Sequence, residues 1–212
     1  MGDTEAAAEV LSRMADAGAD SDVTDYVQAE VDYSLKDYPA AERGFLAVMD
    51  TTEDVVLQRR CLRALGEVYR DCAALAVSGQ SPIDAPATKA AELLSDGIVR
   101  YGLQYDSTLW EMLGMAYFEA FHTEENAPDS YLQSAADCFV RVIDMGVTRD
   151  YLYANLYSIY YEMNDYGSAE QILQDYEAMY PQDYLPHAFR GMMLITLENA
   201  KPQENRNYSA AV

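Results

Sequence analysis

The spacing Leu-x2-Leu-Gly-x2-Tyr occurs at Leu62, Leu65, Gly66 and Tyr69, and again, led by tryptophan, at Trp110, Leu113, Gly114 and Tyr117. Residues three and four apart share one face of a helix, so each occurrence is an apolar stripe with one small position among large ones. A second stripe follows each, Ala90-x3-Leu94 and Ala135-x3-Phe139. The order recurs as Tyr153-x2-Leu156-x3-Tyr160, then Ala169-x3-Leu173 and Pro181, with Tyr157 where a small residue is expected. Lys36-Asp37-Tyr38-x2-Ala41-x3-Phe45 supplies the turn and second helix of an earlier copy, and Asn164-Asp165-Tyr166-x2-Ala169 is the same device. Such self-similarity constrains the fold strongly, because a helix pair with one apolar face is stable only when neighbouring pairs cover it.

These half-signatures resemble those of the tetratricopeptide repeat, whose period is 34 residues. The marker alanines at 41, 90, 135 and 169 lie 49, 45 and 34 residues apart, so only the last interval equals that period. Two insertions account for the excess, Ser78 to Pro86 and Thr123 to Asp129, each placed between the two helices of a repeat, where extra residues loop out without disturbing the stack. The resemblance implies an all-α, right-handed superhelical solenoid of antiparallel helix pairs, about ten helices in all. The repeats fall at 22–53, 59–102, 107–147 and 150–183, with a partial fifth at 184–212, in one domain spanning 1–212. Trp110, Leu113, Tyr117 and Phe139 are expected to be buried together as packing residues.

Both ends read as cut. Ala7-x3-Leu11, with Met14 on the same face, lies 34 residues before Ala41, so a helix over 4–17 is either an N-terminal cap or the remnant of a preceding repeat. Pro186 to Asn199 reads as a first helix with Gly191 in the small position, and Asn207-Tyr208-x2-Ala211 as the next turn and helix start. The chain also resembles repeat regions fused to bacterial serine/threonine kinases, which implies an alternative role as an internal regulatory or sensory region of a larger signalling enzyme.

Thirty-six acidic residues against 14 basic ones give a formal charge of −22. Long-range repulsion then argues against nucleic acid and anionic membrane surfaces as partners, and the acidity serves solubility or a basic partner. Cys61, Cys72 and Cys138 lack metal-ligand or redox spacing and read as small buried apolar groups. No basic start with an apolar stretch and no run of ~18 apolar residues is present, so a cytoplasmic location is expected. His122 and His187 have no second ligand at metal-binding spacing, and neither a nucleophile motif nor a phosphate-cradling glycine loop occurs. A calcium loop begun at Asp20 would place Asp25 where glycine is required and Val31 where a bidentate glutamate is required, so the acids around Asp20 fit a helix N-terminus instead. The expectation is a non-enzyme with no catalytic residue, metal or cofactor.

The resemblance also implies a working surface, because in tetratricopeptide arrays the first helix of each repeat lines a concave groove. Carried over by position, that groove includes Tyr26, Tyr33, Arg60, Arg63, Glu67, Arg70, Glu111, Met115, Phe118, Tyr151 and Tyr161. Arg60, Arg63 and Arg70 form a basic stripe beside Arg59. Arginine forks grip carboxylates and phosphates, so the stripe suits an acidic ligand, unless it is neutralised internally by Glu67, Glu111 and other acids. Aromatic and methionine side chains on the same face suit a protein or peptide partner.

Overall fold

The computed structural model describes residues 9–14 and 16–211. Residues 9–14 are helical; Ala7, with the rest of residues 4–8 of the helix expected over 4–17, and residue 15 lie outside the described residues. Nine α-helices follow: α1 (Ser21–Ser34), α2 (Tyr38–Thr51), α3 (Val55–Ala76), α4 (Pro86–Arg100), α5 (Ser107–Thr123), α6 (Ser130–Asp144), α7 (Asp150–Glu162), α8 (Tyr166–Met179) and α9 (Leu185–Asn199). A single 3-10 turn, Gln203–Asn205, comes after them, and no strand occurs among the described residues. The fold is an all-α helical repeat.

Local chemistry starts these helices. Asp20, Asp37, Asp54, Asp106 and Asp165 are N-caps of α1, α2, α3, α5 and α8, each accepting a backbone N–H of the first turn. Part of the acidity is therefore structural, since a carboxylate there satisfies orphan donors and faces the positive end of the helix dipole. The two matching tripeptides form matching turns: Lys36 and Asn164 take left-handed φ values of 62° and 58°, and the aspartate that follows caps the next helix. The marker alanines Ala41, Ala90, Ala135 and Ala169 are all buried. Close approach also needs two glycines outside the signature, because a Cβ on Gly44 would lie 2.7 Å from that of Ala29, and one on Gly97 2.5 Å from Leu62 Cδ2.

The helices form two compact bodies, one up to Tyr131 and one from Leu132. In the first, α1 to α5 pack in chain order, and α3 also touches the first helices on either side, α1 and α5. Its core includes Phe45, Leu62, Leu65, Leu94, Ile98 and Leu109, all fully buried. Each such side chain contributes roughly 1.5–3 kcal/mol of transfer free energy. Trp110 and Tyr117 depart from expectation: both are half-buried, and the Trp110 indole N–H donates to the Gln104 carbonyl at 2.9 Å, while Leu113 is fully packed and Phe139 is buried in the second body. An indole N–H requires a polar partner, which draws the ring toward the edge of the core.

The insertions lie between helices as expected, at residues 77–85 and 124–129, but they are not passive loops. Ile83 is buried. Glu124 reaches the start of α4 and accepts from the N–H groups of Ala87 (2.9 Å) and Thr88 (3.2 Å). Helix α4 needs this help: Ala85, its N-cap residue, sits in the left-handed region with no side chain able to cap, and Pro86 has no N–H.

In the second body, α8 packs between α7 and α9, and α7 also touches α9. Tyr157 turns the departure from a small residue to advantage. It is buried, stacks on Phe189 with ring centroids 4.6 Å apart, and donates its hydroxyl to the Phe189 carbonyl at 2.8 Å. Arg190 bridges Glu170 and Glu177. Helix α9 matches the expected first helix of a fifth pair, but no helix starts at Asn207. The tail folds back instead: the Asn207 N–H donates to Glu198 and the Tyr208 hydroxyl to Asn199, both at 2.8 Å, while Arg206 donates to the Asn199 and Lys201 carbonyls. Arg206 thereby satisfies the Asn199 carbonyl, one of the orphan acceptors at the end of α9.

Candidate interaction surface

Tyr26, Glu30, Tyr33, Arg60, Arg63, Ala64 and Glu67 line an open depression of about 240 Å³ between α1 and α3. Most of its polar groups are committed. Tyr26 donates to Glu30 at 2.5 Å and Tyr33 to Asp71 at 2.9 Å. Burial, then the hydrogen bond to a carboxylate, pushes both phenols well above the usual tyrosine range. Arg63 grips Asp106 through one guanidinium nitrogen at 2.8 and 3.0 Å, and Arg59 meets the same carboxylate at 2.5 Å. Arg70 is paired with Glu67 and lies 3.7 Å from Asp71.

The arginine stripe is thus largely neutralised from within, chiefly by Asp106, which sequence spacing did not single out. Asp106 is buried, and burial alone would favour its neutral form. The two arginines outweigh that effect and hold its carboxyl below the ordinary range. Arg60 differs from these arginines in making no ion pair with a carboxylate among the described residues.

A second, more enclosed slot of about 90 Å³ opens between α3 and α5, with α4 as its floor. Gly66, Tyr69, Leu94, Met112, Met115 and Ala116 make most of its wall apolar, and Arg70, Glu111 and Glu119 supply charge. The signature glycine has a specific use here, since a Cβ at Gly66 would lie 2.3 Å from the Met112 methyl. Tyr69 is anchored by donating to Glu42 at 2.9 Å, and Lys89 holds the same carboxylate. Met115 remains 37% exposed. The Glu119 carboxylate makes neither a hydrogen bond nor an ion pair among the described residues, and burial raises its pKa despite the opposing field of Arg70.

Eight of the eleven expected groove residues therefore line these two hollows: Tyr26, Tyr33, Arg60, Arg63 and Glu67 the first, and Arg70, Glu111 and Met115 the second. Phe118 lines neither; its ring packs edge-on against His122, 4.5 Å away. Tyr151 and Tyr161 belong to the second body, where the Tyr161 hydroxyl bonds Thr196 at 2.6 Å and that of Tyr151 accepts from Arg149 at 2.7 Å. Glu119 is a further groove position that the resemblance implies, one turn beyond Met115 and next to Phe118, and it lines the second hollow.

The chemistry elsewhere is quiet. Burial pushes the thiols of Cys61 and Cys138 up to about 12 and that of Cys72 to about 11, so all three stay protonated at neutral pH. Among the described residues no cluster of three or more His, Cys, Asp or Glu is arranged to hold a metal ion, and no helix is long and apolar enough to cross a membrane.

No protein-family model matches the chain. No curated protein matches it. Solved structures do: one crystal structure of MamA aligns with a TM-score of 0.59 at 19% identity, covering 80% of this chain and 84% of that one. Another MamA structure gives 0.59 at 17%, covering 82% and 81%. The likeness is one of fold, an all-α helical repeat over most of both chains.

Proposed function

We propose that this chain is a non-catalytic protein-interaction module of tetratricopeptide type, and that it receives a polypeptide segment across α1, α3 and α5. The observation that carries this reading is the apolar slot bounded by Gly66, Met112 and Met115, which opens between two first helices and has charged groups at its rim. A repeat fold that only packed on itself would have no need to leave methionine exposed beside a hollow of this size. Methionine adapts to varied side chains, and an enclosed apolar pocket ringed by polar groups is where binding energy concentrates. The three thiols stay protonated at neutral pH, so none of the cysteines is poised as a nucleophile.

The test is a peptide array probed with the wild-type chain and with Met115→Lys and Arg43→Ala variants. A lysine placed in the slot fills part of it, and is expected to weaken captured peptides at least about tenfold, the scale of a desolvated polar group left in an apolar contact. Arg43, on the second helix α2, is expected to be silent. Equal capture by wild type and Met115→Lys would remove this face from consideration.

A further inference from the structure

We infer that the slot between α3 and α5 selects a lysine side chain of the partner, with the aliphatic stem in the apolar cleft and the ammonium on Glu119. The inference rests on the interaction reading above and names the chemistry of its anchor residue. Four observations lead to it. The slot, at about 90 Å³, exceeds several-fold the ~10–15 Å³ that one water needs, so it admits a chain of several heavy atoms. Its walls, Gly66, Leu94, Met112 and Met115, match methylene groups and offer them no hydrogen bonds.

The third observation is charge. Glu119 is a half-buried carboxylate with no described partner, and burial pushes its pKa up because nothing nearby fully compensates its charge. A cation delivered by a ligand supplies that compensation. The one base at the rim, Arg70, already faces Glu67 and Asp71, so it offers an acidic ligand little. The fourth is the molecule's formal charge of −22, which draws basic segments toward the surface before any contact forms. Lysine fits better than arginine, because its stem is aliphatic up to a compact point charge, whereas a guanidinium would set polar N–H groups against the apolar walls. The basic stripe that suggested an acidic ligand is thus replaced, at this slot, by a preference of the opposite sign.

The experiment uses the whole chain with 13C-labelled methionine methyls, titrated by NMR with N-acetyl-lysine methylamide. Its controls are the norleucine analogue, which keeps a four-carbon stem and lacks the ammonium, and N-acetyl-arginine methylamide. The Met112 and Met115 methyls are expected to shift with the lysine probe, and Glu119→Gln is expected to weaken that binding at least about fivefold, in line with loss of a charge-assisted hydrogen bond. Norleucine shifting the same methyls as strongly, or Glu119→Gln leaving lysine binding unchanged, would show an apolar pocket and overturn the inference; so would preference for the arginine probe or silence with every probe. The peptide array decides separately whether the face binds polypeptides. Array capture lost on Met115→Lys, together with failure of the lysine probe, would retain the interaction surface and refute only its lysine specificity.

Discussion

Asp106 serves two structures with one carboxylate. It caps α5 by accepting from Thr108 and Leu109 at 3.1 and 3.4 Å, and it holds Arg59 and Arg63 of α3. Asp106→Asn keeps some of the cap and loses the charge facing two arginines, and it is expected to lower unfolding free energy by about 2–3 kcal/mol. That is less than the ~3–5 kcal/mol of a fully buried pair, since both arginines are partly solvated. The folded-state pKa is depressed, so this contribution is complete above the unfolded value of about 3.9 and is lost as pH falls through the lower folded value. Urea melts of wild type and variant between neutral pH and pH 3 should therefore differ most at the neutral end and converge in acid. Sequence reading expected internal neutralisation of the stripe and named Glu67 correctly, one turn away from Arg70. It missed Asp106 because its partners lie 47 and 43 residues earlier, and helical spacing says nothing of contacts between helices.

Helix α4 depends on a residue from outside its own sequence. Glu124 provides the anionic acceptor that Ala85 and Pro86 cannot, so Glu124→Ala is expected to cost about 1–2 kcal/mol, the scale of a lost N-cap with its dipole term. Faster amide exchange confined to the first turn of α4 is the diagnostic measurement. Shortening either insertion should be more damaging than loop-closure entropy implies, since one cut removes buried Ile83 and the other removes Glu124. The helix pairs themselves were legible, because alanine and aromatic spacing records the face each helix buries, and Asn164-Asp165-Tyr166 repeated Lys36-Asp37-Tyr38 down to the left-handed turn. Not legible was the fold-back after α9. Asn207 and Tyr208 carry the local pattern of a turn into a helix, but Glu198 and Asn199 offer their polar groups a nearer set of partners.

At the scale of the molecule, 22 excess negative charges repel one another in the compact state, although five helices use an aspartate at their start. Raising sodium chloride from 10 to 150 mM shortens the screening length from about 30 to about 8 Å, so the melting temperature is expected to rise by about 2–4 °C. A fall measured by calorimetry would mean that the paired arginines outweigh the repulsion. The cap on α4 also fixes an order of events. The amide of Ala87 precedes its acceptor by 37 residues, which a ribosome takes on the order of seconds to add. Until Glu124 has been added, the first turn of α4 has no acceptor for the N–H groups of Ala87 and Thr88. The second insertion thus acts as a latch, and α4 gains its cap only when synthesis has passed α5.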